Sequence, residues 1–156
     1  MCKIYVLIFI FTWSTTSLSQ EKKTIQWLSF EQLSDSLENK PKKVFIDFYA
    51  DWCAPCLKMQ REVFSDENVI KILNEDYYAI QMNVESTDTI HFGNQTFINK
   101  RTKKRNPVHE IPLLMASQKN KPFTLPALIF FDENFQATSR YFQYLNIKQF
   151  LSIISK

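Results

Sequence analysis

Residues 44–51, Val-Phe-Ile-Asp-Phe-Tyr-Ala-Asp, run directly into Trp52-Cys53-Ala54-Pro55-Cys56. This junction constrains the fold more than any other stretch, because it places two thiols where a strand hands over to a helix. At the first turn of that helix, unpaired backbone N–H groups and the positive end of the dipole favour a thiolate at Cys53. Cys56, three residues on, lies on the same face. The pair can close a short disulfide with little backbone movement, and Cys53 can attack a partner's disulfide while Cys56 resolves the mixed intermediate. Pro55 suits a first helical turn, where its missing N–H costs nothing. The alternatives are a structural disulfide or half of a zinc site. Zinc needs four ligands, and beyond this pair the chain offers Cys2 and the scattered His91 and His109.

The N-terminus reads as a secretory signal peptide, residues 1–19. Lys3 supplies a positive charge, residues 4–13 are apolar, and residues 14–19 are small and polar, with Ser17 and Ser19 at the spacing of a signal-peptidase site. The apolar run is short for a bilayer span, which makes an uncleaved membrane anchor the weaker alternative. Cys2 precedes the apolar run, the wrong side for a lipidated mature N-terminus. Cleavage before Gln20 would remove Cys2, and with it Lys3 from a net charge of +3. The expected location is therefore periplasmic or secreted.

Residues 20–156 fit one domain with one core, for which 45% hydrophobic and 15% aromatic residues supply ample material. The mildly basic balance and the lack of base-stacking motifs give no reason to invoke nucleic acid. An exported domain whose two cysteines both sit in one C-x-x-C is not stapled by a disulfide framework, so these cysteines are there to react.

Along the chain, residues 24–28 read as an opening strand. Ser29 and Gln32 form a capping box ahead of a helix bearing Phe30, Leu33 and Leu37, which ends before Pro41. Residues 44–49 are apolar on both faces except at Asp47, the pattern of a central, doubly covered strand. A helix from about Cys53 to Val63 follows, then a short one after Ser65-Asp66-Glu67. Tyr78, Ile80, Met82 and Val84 alternate as a strand. Residues 86–121 are a long polar stretch with a helix expected around 109–118. Residues 125–131 read as a buried strand, 132–134 as a turn and 135–142 as an edge strand. Asn146 and Gln149 cap a closing helix. The expected order is β-α-β-α-β-(α)-β-β-α.

The segment from Phe45 to Cys56 resembles the active-site segment of the thioredoxin superfamily. The continuation Met59-Gln-Arg-Glu-Val-Phe-Ser-Asp-Glu-Asn-Val69 is most similar to the C-terminal periplasmic thioredoxin-like domain of DsbD-type thiol:disulfide interchange proteins. The resemblance covers residues 24–155 apart from 86–121. It implies an α/β thioredoxin fold, a central mixed sheet flanked by helices, with an insertion before the strand that follows the family's proline. That proline matches Pro126. The resemblance implies a cis Leu125–Pro126 bond beside the cysteines and a groove, bordered by Trp52, Ala54, Pro55 and Leu125, in which a substrate chain adds as a strand. It also implies that Asp47, six residues before Cys53, is a buried acid that assists deprotonation of Cys56. Periodicity alone leaves open a partly exposed strand-end residue.

Several positions depart from the family. Gln81 stands where thioredoxins carry a lysine near the buried acid, and Gln60 where DsbD-type domains carry a second acid. Two family glycines are replaced around Asn134 and Phe142, the first a mild loss because Asn tolerates a left-handed turn. In the insertion, Lys100-Arg-Thr-Lys-Lys-Arg105 is either a docking patch for an acidic partner or anionic surface, or a solvated mobile loop. His91 and His109 read as ordinary loop histidines rather than copper or heme ligands. Met59 and Met82 read as core.

These features predict a monomeric, exported thiol:disulfide oxidoreductase. Its redox-active disulfide Cys53–Cys56 needs no cofactor and no metal, and its partners are protein disulfide or dithiol substrates and a membrane-linked electron donor. The DsbD-type resemblance implies reduction or electron relay. The alternatives are a copper(I) metallochaperone using the same thiolates, and a redox-inactive partner-binding module.

Overall fold

The computed structural model describes residues 24–156. The expected signal peptide at 1–19 lies outside the described residues. The first strand, β1 (Trp27–Leu28), is shorter than expected. The reason lies upstream, where the side chain of Asn74 takes the backbone of residues 24–26 instead of a neighbouring strand: it accepts from the Gln26 N–H at 2.8 Å and donates to the Thr24 carbonyl at 2.9 Å. The Ser29–Gln32 capping box then starts α1 (Phe30–Asn39) as the sequence predicts. Next come β2 (Lys43–Tyr49), α2 (Ala54–Glu62) and α3 (Glu67–Asp76), the last capped by the Asp66 carboxylate, which accepts from the N–H groups of Asn68 and Val69. The remaining elements are β3 (Tyr77–Asn83), β4 (Ile90–Phe92), β5 (Gln95–Phe97), α4 (Glu110–Ala116), β6 (Ala127–Phe131), β7 (Ala137–Tyr141) and α5 (Ile147–Ile154). A second capping box, Asn146 with Gln149, opens α5.

The main sheet has five strands in the order β1-β3-β2-β6-β7. The first three are mutually parallel, β6 runs antiparallel to β2, and β7 antiparallel to β6. Because β2 lies centrally, both of its faces are covered. Val44, Ile46 and Phe48 pack with Phe30 and Leu33 of α1 and Ile111 of α4. Phe45 packs on the other side with Met59 and Val63 of the α2 region, Val69 and Leu73 of α3, and Phe150 of α5. This is the doubly covered strand that an apolar run without alternation predicts. Strand β3 is covered more fully than its alternation suggested, with Ala79 and Ile80 both buried on opposite faces.

The insertion folds, and more fully than expected. Its helix α4 is present, and a hairpin the sequence reading did not anticipate, β4–β5, precedes it. The signal was Gly93-Asn94, a two-residue turn in which both φ angles are positive, 57° and 60°. His109, expected to be a loop histidine, is a buried helix cap. Its Nδ1 accepts from the Ile111 N–H at 3.2 Å and its Nε2 lies 3.1 Å from the Asp88 carbonyl, which selects the tautomer with the proton on Nε2.

The edge strand is also shorter than 135–142, and the left-handed residue is Phe135 (φ 56°) rather than Asn134. The Asp132 carboxylate accepts from the N–H groups of Asn134 and Gln136, and the Phe135 N–H donates to the Asp132 carbonyl, so the turn closes one residue late. The Phe135 ring lies flat on Phe131, with centroids 4.4 Å apart and planes at 4°.

Candidate active site

Strand β2 ends beneath a tight turn. Ala50 accepts from the Cys53 N–H at 3.0 Å, which brings Cys53 to the N-cap of α2. The Cys53 Sγ accepts from the Cys56 N–H at 3.3 Å, one of the orphan donors of a helix start. Cys53 and Cys56 form a disulfide with Cα atoms 5.3 Å apart. Pro55 occupies the first turn, where it removes no helical hydrogen bond.

Although it opens the helix, Cys53 is only 3% exposed, and Cys56 1%. The side chain that caps the helix must turn inward, and both sulfurs then join the apolar cluster of Phe48, Ala50, Val84, Val108 and Ala127. Trp52, 68% exposed, is the large apolar side chain left at the surface beside them. Its indole N–H donates to the Glu85 carboxylate at 2.9 Å. Glu85 was absent from the sequence-predicted site. It sits just past β3, and only the parallel pairing of β2 with β3, extended by the Val84 N–H on the Tyr49 carbonyl, brings it opposite Trp52.

Asp47 is 1% exposed. It shares a strand face with Phe45, the face on which Met59 and Val63 pack. Its register partner on β3 is Gln81, whose amide donates to the carboxylate at 3.0 Å. Burial pushes the Asp47 carboxyl up to about 7, and the Gln81 hydrogen bond offsets this only in part. Gln81 also lines a cleft of about 490 Å³ between β3, the start of α1 and the insertion, bordered by Ser29, Glu31, Tyr49, Asn83 and Thr89. The buried acid is thus one amide away from an open cleft.

The Leu125–Pro126 bond is cis and leads directly into β6. Leu125 packs against the cluster that holds the two cysteines, as does Phe142. Met59 and Met82 are buried in the core. Among the described residues no three His, Cys, Asp or Glu side chains gather as a metal-binding group.

A mixed sheet with a cysteine pair at the start of the helix after its central strand is the architecture of the thioredoxin-like class. A family model described as a thioredoxin-like domain matches residues 30–156, and the chain belongs to that family. Among curated proteins, the thiol:disulfide interchange protein DsbD of Photorhabdus laumondii is 35% identical over 78 residues, covering 46% of this chain and 13% of that protein. The aligned segment is therefore a small part of that longer relative. Among solved structures, a thioredoxin from Thermus thermophilus matches with a TM-score of 0.58 at 15% identity, over 85% of both chains. The C-terminal domain of DsbD from Neisseria meningitidis, in its reduced form, matches with a TM-score of 0.51 at 16% identity, over 80% of this chain and 90% of that one. At such identities the structural likeness is one of fold.

Proposed function

We propose that this protein is an exported oxidoreductase that reduces protein disulfides, or relays electrons to a protein that does. The observation that carries the reading is the Cys53–Cys56 disulfide closed at the N-cap of α2 beside an exposed Trp52. In the dithiol state, the Cys56 N–H that meets the Cys53 sulfur supports a thiolate there. That thiolate attacks one sulfur of the substrate disulfide, forms a mixed disulfide and expels the other substrate sulfur as a thiolate. Cys56 then loses its proton to Asp47 and attacks the Cys53 sulfur. The second substrate thiolate leaves, so the substrate disulfide has gained two electrons and become two thiols, while the enzyme has lost two as the Cys53–Cys56 disulfide.

Asp47 suits the proton step because a carboxyl held near neutrality can both accept and release a proton. Trp52, Ala54, Pro55, Leu125 and Pro126 would line the groove for the substrate chain. Similarity to part of DsbD supports the reducing direction, and the charged, apolar and small-residue sequence of residues 1–19 supports export by a cleaved signal peptide. A membrane-linked dithiol donor would restore the reduced state, and the protein would act as a monomer.

A Cys56→Ser variant tests the reading, because it halts the cycle at the mixed disulfide. Incubated with oxidised insulin, it should accumulate a covalent adduct through Cys53, while the unaltered protein turns insulin over in the presence of a small dithiol. No adduct and no turnover would overturn the assignment.

A further inference from the structure

The basic run of the insertion is neither extended nor loose. Lys100, Arg101, Thr102, Lys103, Lys104, Arg105 and Asn106 are all exposed, yet the loop they form is closed at its base by the buried side chain of Asn99. The Asn99 amide donates to the Ser86 carbonyl at 3.0 Å and to the Pro107 carbonyl, and its oxygen accepts from the Arg101 N–H at 2.9 Å. A turn from the Lys104 N–H to the Arg101 carbonyl tightens the tip, and Lys100 pairs with Glu110. Like charges on a free segment repel and extend it. Here the clasp holds Arg101, Lys103, Lys104 and Arg105 together, and among the described residues none of these four pairs with a carboxylate.

The clasp also fixes where this charge sits. Ser86 follows Glu85, whose carboxylate holds the Trp52 indole, and Val108, just past the loop, is buried in the same cluster as Cys53 and Cys56. From these contacts we infer that residues 100–106 are a second docking surface, which binds an acidic segment of the polypeptide whose disulfide is being exchanged. The inference rests on the oxidoreductase reading for its substrate, and it names a class: proteins with Asp or Glu residues flanking the reactive cysteine. An anionic membrane is the less suitable occupant, because the loop carries no apolar side chain to enter a bilayer and its base is tied, through Ser86 and Val108, to the elements around the cysteines.

Two disulfide-linked peptides, identical except that one carries four Glu residues beyond its cysteine and the other four Gln, separate the possibilities. At low ionic strength the reduced protein should react with the acidic peptide about tenfold faster, within the range of electrostatic steering. The advantage should vanish at high salt, and in a variant combining Arg101→Gln, Lys103→Gln, Lys104→Gln and Arg105→Gln, while reaction with a small uncharged disulfide stays unchanged. Equal rates for the two peptides, or an advantage that survives the four substitutions, would overturn the inference. Anisotropy of labelled versions with Ser in place of Cys reads docking without exchange. Binding of the acidic version with no reaction on any disulfide would sink the oxidoreductase reading alone. Binding to phosphatidylglycerol vesicles without discrimination between the peptides would sink the docking surface.

Discussion

Asp47 holds its proton up to about 7 in the folded chain, against 3.8 for an ordinary carboxyl, because burial penalises the anion more than the Gln81 amide relieves it. Between those two values the native state keeps a proton that the unfolded chain has lost. Stability therefore falls as pH rises through that window, and above it the penalty is complete, on the order of 4 kcal/mol. Asp47→Asn removes the penalty. Its gain in unfolding free energy, from denaturant titrations, should be larger at about pH 8 than at about pH 5, and an equal gain at both would contradict a buried ionising carboxyl. In stopped-flow exchange the same variant should slow release of the mixed disulfide and spare the first attack. Phe135 poses a different balance. Its left-handed backbone costs roughly 1–2 kcal/mol, and its ring gives back contact with Phe131 and Phe92. Phe135→Ala keeps the strain and loses the ring, whereas Phe135→Gly loses both. The Ala variant should be the less stable of the two by about 1 kcal/mol, and the reverse order would show that the turn relaxes without strain.

The hairpin β4–β5 is one of the elements that tie the insertion to the body of the fold, beside α4. Glu31 of α1 accepts from the His91 N–H at 2.9 Å, and Phe92 packs edge-on against Phe30 with centroids 5.5 Å apart. Gly93 is the turn residue on which this hairpin depends. A Cβ added there would meet nothing within 4 Å, but its φ of +57° is one that an L side chain resists. Gly93→Ala should therefore weaken the hairpin by about 1 kcal/mol for conformational reasons alone. Amide hydrogen exchange should speed up at residues 90–97 and stay unchanged in β2 and β6. Uniform acceleration through the sheet would mean that the hairpin is not a separately opening unit.

For the whole molecule, Phe45 joins elements that the chain keeps far apart. Its ring meets Trp27 of β1, Phe64 beyond α2, Phe130 of β6 and Phe150 of α5 at centroid distances of 6.2, 5.9, 5.0 and 5.3 Å. The face under α2, and with it the base of the active-site helix, rests on this cluster. Phe45→Ala should cost about 3–5 kcal/mol, the usual range for removing a buried aromatic ring. A urea midpoint that drops without a change in slope would register this. A loss below about 1 kcal/mol would mean that the neighbouring rings close the gap, outside the usual range for such a deletion.

Some of this was legible in the chain because the signals are local. Ser29 with Gln32 and Asn146 with Gln149 act across three residues, and each opens a helix where the sequence predicts it. Residues 44–49 state their own central position by lacking alternation, and Cys53 and Cys56 carry their chemistry in their spacing. The Gly93-Asn94 turn is equally local, but strands of three residues on either side are too short to show a periodicity. Other features had no local signal. That Cys53 is buried, that His109 caps α4 against Asp88, that Asn99 clasps the basic loop to Ser86, and that Glu85 faces Trp52 are all set by groups distant in sequence. Residue type and spacing determine which bonds a segment can make with itself. Which buried donor meets which acceptor across the sheet is decided by tertiary packing, because a polar group removed from water must take a partner from whatever chain lies beside it.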